Sequence, residues 1–216
     1  MKVTKKVVYS IEDFELNFEP IEDSIKIEKT KEGYTVKYLI REYDPESPRN
    51  WDNLGNMLCF HKRYNLGDDT DLNSDMFNGW EEVESYLIKE KKAVVILPLF
   101  LYDHSGISMR TYRHGHHAAW DCGQVGFIYA TEEDIKKEYN VKRITKKIKD
   151  KVTNILEAEI DTYDKYLQGD IYCLVKETYN ENKENINYDT LRGFYGYEDS
   201  LKKLWSVRYK NILLET

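Results

Sequence analysis

The sequence predicts an α+β domain in which a mixed or mainly antiparallel sheet of about five or six strands packs against a long C-terminal-half helix and a final helix. Runs of β-branched and aromatic residues come in closely spaced pairs, which is typical of hairpins. Apolar residues at helical spacing extend over positions 144–168. The two patterns alternate irregularly, which disfavours the regular strand–helix order of a doubly wound parallel sheet.

The N-terminal part predicts an acidic segment followed by a hairpin. Residues 12–23 contain six acids and no base. Alternating residues at 24–30 and β-branched and aromatic residues at 34–42 flank a short turn, which predicts two antiparallel strands. Residues 1–44 are therefore a candidate subdomain. No linker composition divides the chain further, so a single domain over 1–216 is expected.

The middle of the chain begins with a long loop region. Pro, Gly, Asp and Asn are concentrated in residues 43–79, which predicts at most short elements there. A loop of this length inside a compact domain is usually either functional or a region whose secondary structure the pattern assigns wrongly. Apolar residues at helical spacing then predict a short helix over 80–92.

Three strands are predicted after this helix. The continuous apolar run at 93–102 is typical of a buried strand. Within it, Pro98 has no backbone N–H to donate, which favours a sheet edge or a bulge at that position. Residues 106–112 are a candidate partner strand, and residues 124–130 predict a third strand.

The C-terminal half predicts three helices and one strand. A T-x-x-D pattern at Thr131 predicts the start of a short helix. The long amphipathic helix over 144–168 is expected to end at Gly169. A strand over 170–178 and a final helix over 199–213 complete the predicted elements.

Composition restricts the class of protein. The 32 Lys and Arg against 39 Asp and Glu give a net charge of -7, which disfavours direct nucleic-acid binding and permits a partner with a basic face. No apolar run reaches the ~18 residues of a membrane span, and the N-terminus lacks the apolar core of a signal peptide. Three well-separated cysteines, Cys59, Cys122 and Cys173, are typical of reduced thiols in a cytoplasm. No cofactor is expected.

A mixture of aromatic, basic and acidic residues occupies the long loop region. Such a mixture forms either a buried network that fixes a loop or the lining of a pocket, and the sequence leaves both open. The residues are Trp51, Asp52, His61, Arg63, Tyr64 and Asp68.

Five sequence blocks occur in an order that resembles a known family. The blocks are WDNLGNMLCFHKRYNLGD at 51–68, LYDHSG at 101–106, WDCGQVGFIY at 120–129, DKYLQGDIY at 164–172 and GFYG at 193–196. They resemble blocks in small proteins of tailed phages, prophages and conjugative elements, a family mostly without an assigned activity. Arg192 departs from the pattern, in which a Trp precedes the last block.

The resemblance implies an accessory protein of a mobile element, and some small phage proteins block host defence. The first hypothesis is therefore a non-enzymatic protein, of anti-CRISPR or anti-restriction type, that binds and blocks a host defence protein or ribonucleoprotein. Acids suit a basic partner, and Tyr is frequent at interface hot spots. The candidate contact residues are Asp68, Asp69, Asp71, Asp75, Tyr195 and Tyr197.

The second hypothesis is a small hydrolytic or nucleic-acid-modifying enzyme. Asp103 and His104 follow one predicted strand, and Asp121 and Cys122 precede another. If these strands pair, a His beside carboxylates becomes a candidate general base and the Cys a candidate nucleophile. A structural corner in which both Asp side chains cap turns explains the same residues and is favoured.

A histidine-rich stretch is a weak candidate for a metal site. His114, His116 and His117 include an H-x-H pair, which places two imidazoles on one face of an extended segment. The spacings of established zinc motifs are missing. A solvated loop without a metal is therefore expected.

Overall fold

The structure is a computed structural model that describes residues 9–113 and 121–206. Contacts between residues group the chain into two units. Unit 2 is Glu46–Gln168, and unit 1 comprises the described parts of Met1–Pro45 and Gly169–Thr216. Each unit contains a four-stranded antiparallel sheet. The α+β class and the antiparallel pairing are confirmed, and the strands form two sheets where the sequence led us to expect one.

Strands and helices are numbered in chain order. The strands are β1 (Lys26–Lys29), β2 (Tyr34–Arg41), β3 (Asn56–Cys59), β4 (Ala93–Asp103), β5 (Ile107–Arg110), β6 (Cys122–Thr131), β7 (Ile171–Tyr179) and β8 (Asn185–Tyr195). The helices are α1 (Trp80–Lys89), α2 (Glu132–Glu138), α3 (Lys146–Leu167) and α4 (Tyr197–Ser206).

Unit 1 is built on a sheet with the strand order β1-β2-β7-β8. The predicted β1–β2 hairpin is present and turns at Gly33, where φ is 142° and an added Cβ would lie 2.0 Å from the carbonyl oxygen of Tyr179. The segment before β1 packs against the sheet through the buried Phe14. Helix α4 packs through the buried Leu204. The acidic N-terminal segment is therefore part of a packed unit.

Strand β8 is the longer of two strands that the sequence pattern did not predict, the other being the four-residue β3 within the expected loop region. Its residues 185–190 are all exposed, so the strand has no alternation of buried and exposed positions to detect. It lies at the edge of the sheet and pairs with β7 alone. An exposed edge strand is specified by its neighbour rather than by its own composition.

Unit 2 is built on a sheet with the strand order β3-β6-β4-β5. Alternate residues of β6 point to opposite faces of this sheet. Ile128 packs with Leu156 of α3 on one face, and Phe127 packs with Leu87 of α1 on the other. The long amphipathic helix predicted from the 144–168 pattern is therefore confirmed, with its apolar stripe on the sheet.

The smaller predicted features of unit 2 are also present. Pro98 lies where β4 pairs with β6 only, because β5 covers β4 from Phe100 onward, and a register shift follows Leu99. The Thr131 hydroxyl accepts a hydrogen bond from the backbone N–H of Asp134 at 3.2 Å, which starts α2. No helix among the described residues is both long and apolar enough to cross a membrane.

Candidate functional site

A cleft of about 930 Å³ opens in unit 2 beside the chain that follows β3. Its size lies within the range of small-molecule sites, roughly 300–1,000 Å³. Residues 60–66, which we call the cleft loop, form one side, and the adjoining ends of β4 and β6 form another. Residues 72–74 and Trp80 complete the lining.

The position of the cleft loop follows from a close approach of two strands. At Gly126 of β6, an added Cβ would lie 1.9 Å from the carbonyl oxygen of Leu58, so only glycine fits there. The backbone N–H of Phe60 still donates to the carbonyl oxygen of Val125 at 2.7 Å. The chain therefore leaves the sheet only after Phe60, and the next residues border the cleft.

An ion pair joins the cleft loop to the end of β4. The guanidinium of Arg63 donates a hydrogen bond to the Asp103 carboxylate. The Tyr64 hydroxyl donates to the other oxygen of Asp103 at 3.2 Å. The sequence left two interpretations open for this region, a buried network and the lining of a pocket. The structure places His61, Arg63 and Tyr64 in the lining of a pocket.

His61 has a defined hydrogen-bonding role within the cleft loop. Its Nδ1 atom accepts hydrogen bonds from the backbone N–H groups of Arg63 at 3.3 Å and Tyr64 at 3.2 Å. A ring nitrogen that accepts carries no proton, so the proton of the neutral imidazole is on Nε2. The ring also stacks on Tyr64, with centroids 5.0 Å apart. His61 therefore presents a fixed Nε2–H donor.

The four residues of the enzyme hypothesis lie close together. Asp103, Asp121 and Cys122 all line the cleft, and the N–H of Asp103 donates to the carbonyl oxygen of Asp121 at 2.9 Å. His104 Nδ1 is 3.7 Å from an Asp121 carboxylate oxygen. Among the described residues, however, no hydrogen bond joins His104 to Cys122. The strands pair as expected, but the corner contains no nucleophile–base contact.

Exposed acids form a surface next to the cleft. Residues 65–88 contain seven acids and no base. Among the described residues, no cation pairs with five of these acids, all of them exposed, which we call the acidic surface. They are Asp69, Asp71, Asp75, Glu81 and Glu84.

Local contacts give the acidic surface a defined backbone. The Asn73 side chain accepts a hydrogen bond from the Asp75 N–H at 3.0 Å and starts a short 3₁₀ turn. The Glu82 carboxylate accepts from the backbone N–H of Asn78 at 2.7 Å, just before α1. Met76, at the centre of this stretch, is 57% exposed. The acidic side chains therefore lie on ordered turns and on a helix.

Asp68 belongs to a buried network and not to the acidic surface. Its carboxylate oxygens accept from Arg49 at 2.7 and 3.0 Å and from the Met57 N–H at 2.7 Å. Arg49, whose side chain is 6% exposed, also donates to Glu159 of α3 at 3.3 Å and to the Gly55 carbonyl oxygen at 2.6 Å. These bonds pin the loop region to α3.

Burial affects the ionisation of groups around this network. Burial raises the pKa of the Glu159 carboxyl, against the opposing effect of backbone N–H donors and Arg49. Burial also raises the pKa of the nearby Cys59 thiol to about 12. Cys59 is therefore a neutral thiol at physiological pH, which does not suit a nucleophile.

The two candidate tyrosines belong to unit 1. Tyr195 lies at the end of β8, opposite Ile171. Tyr197 begins α4, and its ring makes an edge contact with Tyr172, with centroids 5.5 Å apart. Its hydroxyl is buried, with no hydrogen-bond partner among the described residues. Tyr197 therefore has a packing role within unit 1.

The histidine-rich stretch lies outside the described residues. His114, His116 and His117 all fall between the two described ranges. Within those ranges, no group of three or more His, Cys, Asp or Glu side chains is placed to hold a metal ion.

Sequence reasoning did not identify two central residues of unit 2. Arg49 and Glu159 are 110 positions apart and meet only because α3 packs beside the loop region. Seven backbone and side-chain hydrogen bonds depend on these two residues. The signal that the sequence offered for this network was Arg49, a basic residue near the start of a proline- and glycine-rich region.

The chain was compared with protein-family models, with curated proteins and with solved structures, and nothing matches.

Proposed function

We propose that this chain is an accessory protein of a mobile genetic element that binds a host defence protein or ribonucleoprotein in the bacterial cytoplasm and blocks it without catalysis. The observation that carries this proposal is the acidic surface, because within residues 9–113 and 121–206 no cation pairs with its five exposed acids. The resemblance of the five sequence blocks to proteins of mobile elements supports it.

Charge complementarity selects the partner. A stretch of 24 residues without a base produces a negative potential that attracts a basic face and repels phosphates. Proteins that handle nucleic acids carry such basic faces where they contact the phosphate backbone. The proposed partner surface is therefore the nucleic-acid-binding face of a defence protein, and occupying that face blocks it.

The acidic surface also offers an apolar contact. Met76 is exposed among the acids, and Met is an adaptable side chain that fills irregular gaps at interfaces. Buried apolar residues at the centre of an interface contribute more to affinity than charges at its rim. Met76 is therefore the proposed anchor, and the acids determine orientation and association rate.

The experiment is affinity capture from lysate of a host bacterium, with bound protein and nucleic acid identified together. A variant with Asp69→Lys, Asp71→Lys and Asp75→Lys is expected to lose the captured partner. The matched control reverses three exposed acids on α2 and α3, with Glu138→Lys, Glu157→Lys and Asp161→Lys, which changes the net charge equally. Equal capture by both triple variants would contradict the proposal.

Stoichiometry separates this function from the enzyme hypothesis. That second candidate is supported by one observation, the joint presence of Asp103, Asp121 and Cys122 in the cleft lining. A blocking protein saturates at about one per target, whereas an enzyme acts below that ratio. Loss of the effect in a folded His104→Ala variant would favour the enzyme.

A further inference from the structure

The cleft loop presents hydrogen-bond donors to the cleft, although the chain as a whole is acidic. The Nε2–H of His61 has no partner among the described residues. Lys62 is exposed and has no ion-pair partner among the described residues. Arg63 uses one of its nitrogens on Asp103, and its side chain remains 68% exposed. Three consecutive residues thus present donors, two of them cationic, to the cleft.

Of the two acids in the cleft lining, only Asp103 is paired with the cleft loop. Asp103 is paired with Arg63 and hydrogen-bonded to Tyr64. Asp121 faces His104 at 3.7 Å. Among the described residues, neither carboxylate pairs with Lys62, which is the cation of the cleft loop that remains available. This arrangement suits an anion with several acceptor oxygens, such as a phosphate.

Flat aromatic surfaces border the same space. Phe60 and Trp80 both line the cleft and are partly exposed. Their rings are nearly parallel, with an interplanar angle of 14° and centroids 6.1 Å apart. The two rings stack on each other, and Phe60 also stacks on Phe77, with centroids 6.1 Å apart. The part of this aromatic cluster that is exposed in the cleft is a contact surface for a nucleobase of any kind.

The acidic surface determines which kind of nucleotide fits. Residues 72–74 belong both to the cleft lining and to the stretch that carries Asp71 and Asp75. A nucleic-acid strand that extended from the cleft past these acids would meet repulsion within about 8 Å, the screening length at physiological salt. A single nucleotide stays within the cleft, whose volume is of the right size.

We propose that the cleft binds a free mononucleotide, with its phosphate at His61, Lys62 and Arg63 and its base against Phe60 and Trp80. This site is separate from the acidic surface and does not depend on the proposed blocking role.

Calorimetric titration of the full chain tests this site. The probes are AMP, GMP, CMP and UMP, with inorganic phosphate and a short single-stranded oligonucleotide as comparison arms. We expect at least one mononucleotide to bind with one site per chain. Phosphate alone is expected to bind more weakly, because it makes no aromatic contact, and the oligonucleotide more weakly because of the acidic surface.

Matched variants locate the site. Lys62→Glu is expected to weaken nucleotide binding by about tenfold or more, as loss of a charge-assisted hydrogen bond implies. Lys91→Glu makes the same charge change at an exposed lysine outside the cleft and is expected to stay within about twofold. His61→Asn keeps an acceptor for the backbone N–H groups but removes the Nε2–H, so it is expected to weaken binding with unchanged thermal stability.

Each contrary outcome overturns a stated part of the proposal. Absence of binding by all four nucleotides at about 1 mM removes the site. Equal weakening by Lys62→Glu and Lys91→Glu removes the assignment to the cleft loop. Phosphate binding as tight as that of the nucleotides removes the aromatic contact, and tighter oligonucleotide binding removes the free nucleotide. The acidic-surface triple variant should bind nucleotide at least as tightly as the wild type, because it loses repulsion near the cleft, whereas it should lose the captured partner; the two failures are therefore distinguishable.

Discussion

The two units contain buried carboxylates that are compensated in different ways. In unit 2, Asp68 and Glu159 share the cation Arg49. In unit 1, Glu177 is fully buried and has no cation among its hydrogen-bond partners. It accepts from the hydroxyls of Tyr38 and Tyr179, from the Asn185 side chain at 2.9 Å and from the Asn17 N–H at 2.9 Å.

Both networks stabilise segments that lack regular secondary structure. The Arg49 network attaches the loop region that precedes the acidic surface to α3. The Glu177 network attaches the acidic N-terminal segment to the sheet, because Tyr179 also donates to the Glu15 carbonyl oxygen at 2.8 Å. A carboxylate can accept several hydrogen bonds at once, so one such group orders several chain segments. The Arg49 network depends on a positively charged side chain, whereas the Glu177 network depends on four neutral donors.

The largest expected effect comes from removing the shared cation. Arg49→Met leaves the partly buried Asp68 and Glu159 without a counter-charge, which should cost about 3 kcal/mol in the free energy of unfolding, the lower end for a buried pair. Urea denaturation measures this, with the exposed Arg143→Met as control, expected within about 0.5 kcal/mol. A loss near 0.5 kcal/mol for Arg49→Met would show that the network carries little net stability.

A smaller effect is expected from neutralising the carboxylate of unit 1. Glu177→Gln replaces an acceptor of four hydrogen bonds by an amide whose NH₂ group faces donors, which should cost about 2 kcal/mol. Glu159→Gln should cost less, because burial raises the pKa of Glu159 and its charge is already disfavoured. Urea denaturation of both variants compares the networks directly, and a larger loss for Glu159→Gln would reverse the comparison.

The tyrosines of unit 1 predict an alkaline pH dependence. Burial and the Glu177 carboxylate raise the pKa of Tyr38 and of Tyr179 above the ordinary value near 10. Above that pH the unfolded chain loses protons that the folded chain retains, so stability is complete below pH ~10 and falls as pH rises. Tyr38→Phe should flatten this decline in denaturation experiments between pH 9 and pH 11, roughly one unit either side of that value.

A matched tyrosine controls for general alkaline effects. Tyr43 is 99% exposed, so Tyr43→Phe should leave the pH dependence of the wild type unchanged. An equal flattening by both variants would mean that the decline comes from elsewhere in the chain.

The smallest effect on stability is expected at the acidic surface. Replacing Asp69, Asp71 and Asp75 by Lys should change the free energy of unfolding by less than about 0.5 kcal/mol, since exposed charges contribute little to folding. Thermal denaturation checks this. A large loss of stability would mean that these acids have a folding role, as Asp68 does, and would make the capture experiment uninformative for this surface.

Most helices and strands were predictable from local sequence patterns, whereas the pairing of distant strands was not. The apolar run at 93–102 and the period of 144–168 correspond to β4 and α3, because each element encodes its own burial. The pairing of β2 with β7 joins Tyr34 to Tyr179 across the sequence, and no local pattern encodes such a partner. The same limit explains why two sheets were expected to be one.

The candidate site shows the same difference between features with a local sequence pattern and contacts that only the tertiary structure creates. The sequence indicated His61 and Arg63 in one feature and Asp103 in another, and only the return of β4 beside the cleft loop brings Arg63 and Asp103 into contact. The sequence placed Asp68 both in an exposed acidic run and in the mixture that could form a buried network, but it did not identify the partner Arg49, which lies 19 positions earlier in a loop without periodicity. Its role depended on tertiary contacts, which the sequence pattern does not contain.

Unit 1 is formed by two separate stretches of the sequence, and this has a consequence for synthesis on the ribosome. Unit 2 is continuous, whereas β2 ends at Arg41 and its partner β7 begins at Ile171, with the N–H of Glu42 donating to the Ile171 carbonyl oxygen at 2.9 Å. At roughly 5–20 residues per second, β2 emerges on the order of ten seconds before β7. An isolated hairpin is marginally stable at best, and during that interval β2 has only β1 as a strand partner, with the preceding N-terminal segment packed on it. Unit 1 is therefore the part of this protein most exposed to misfolding and to chaperone binding while the chain is being made.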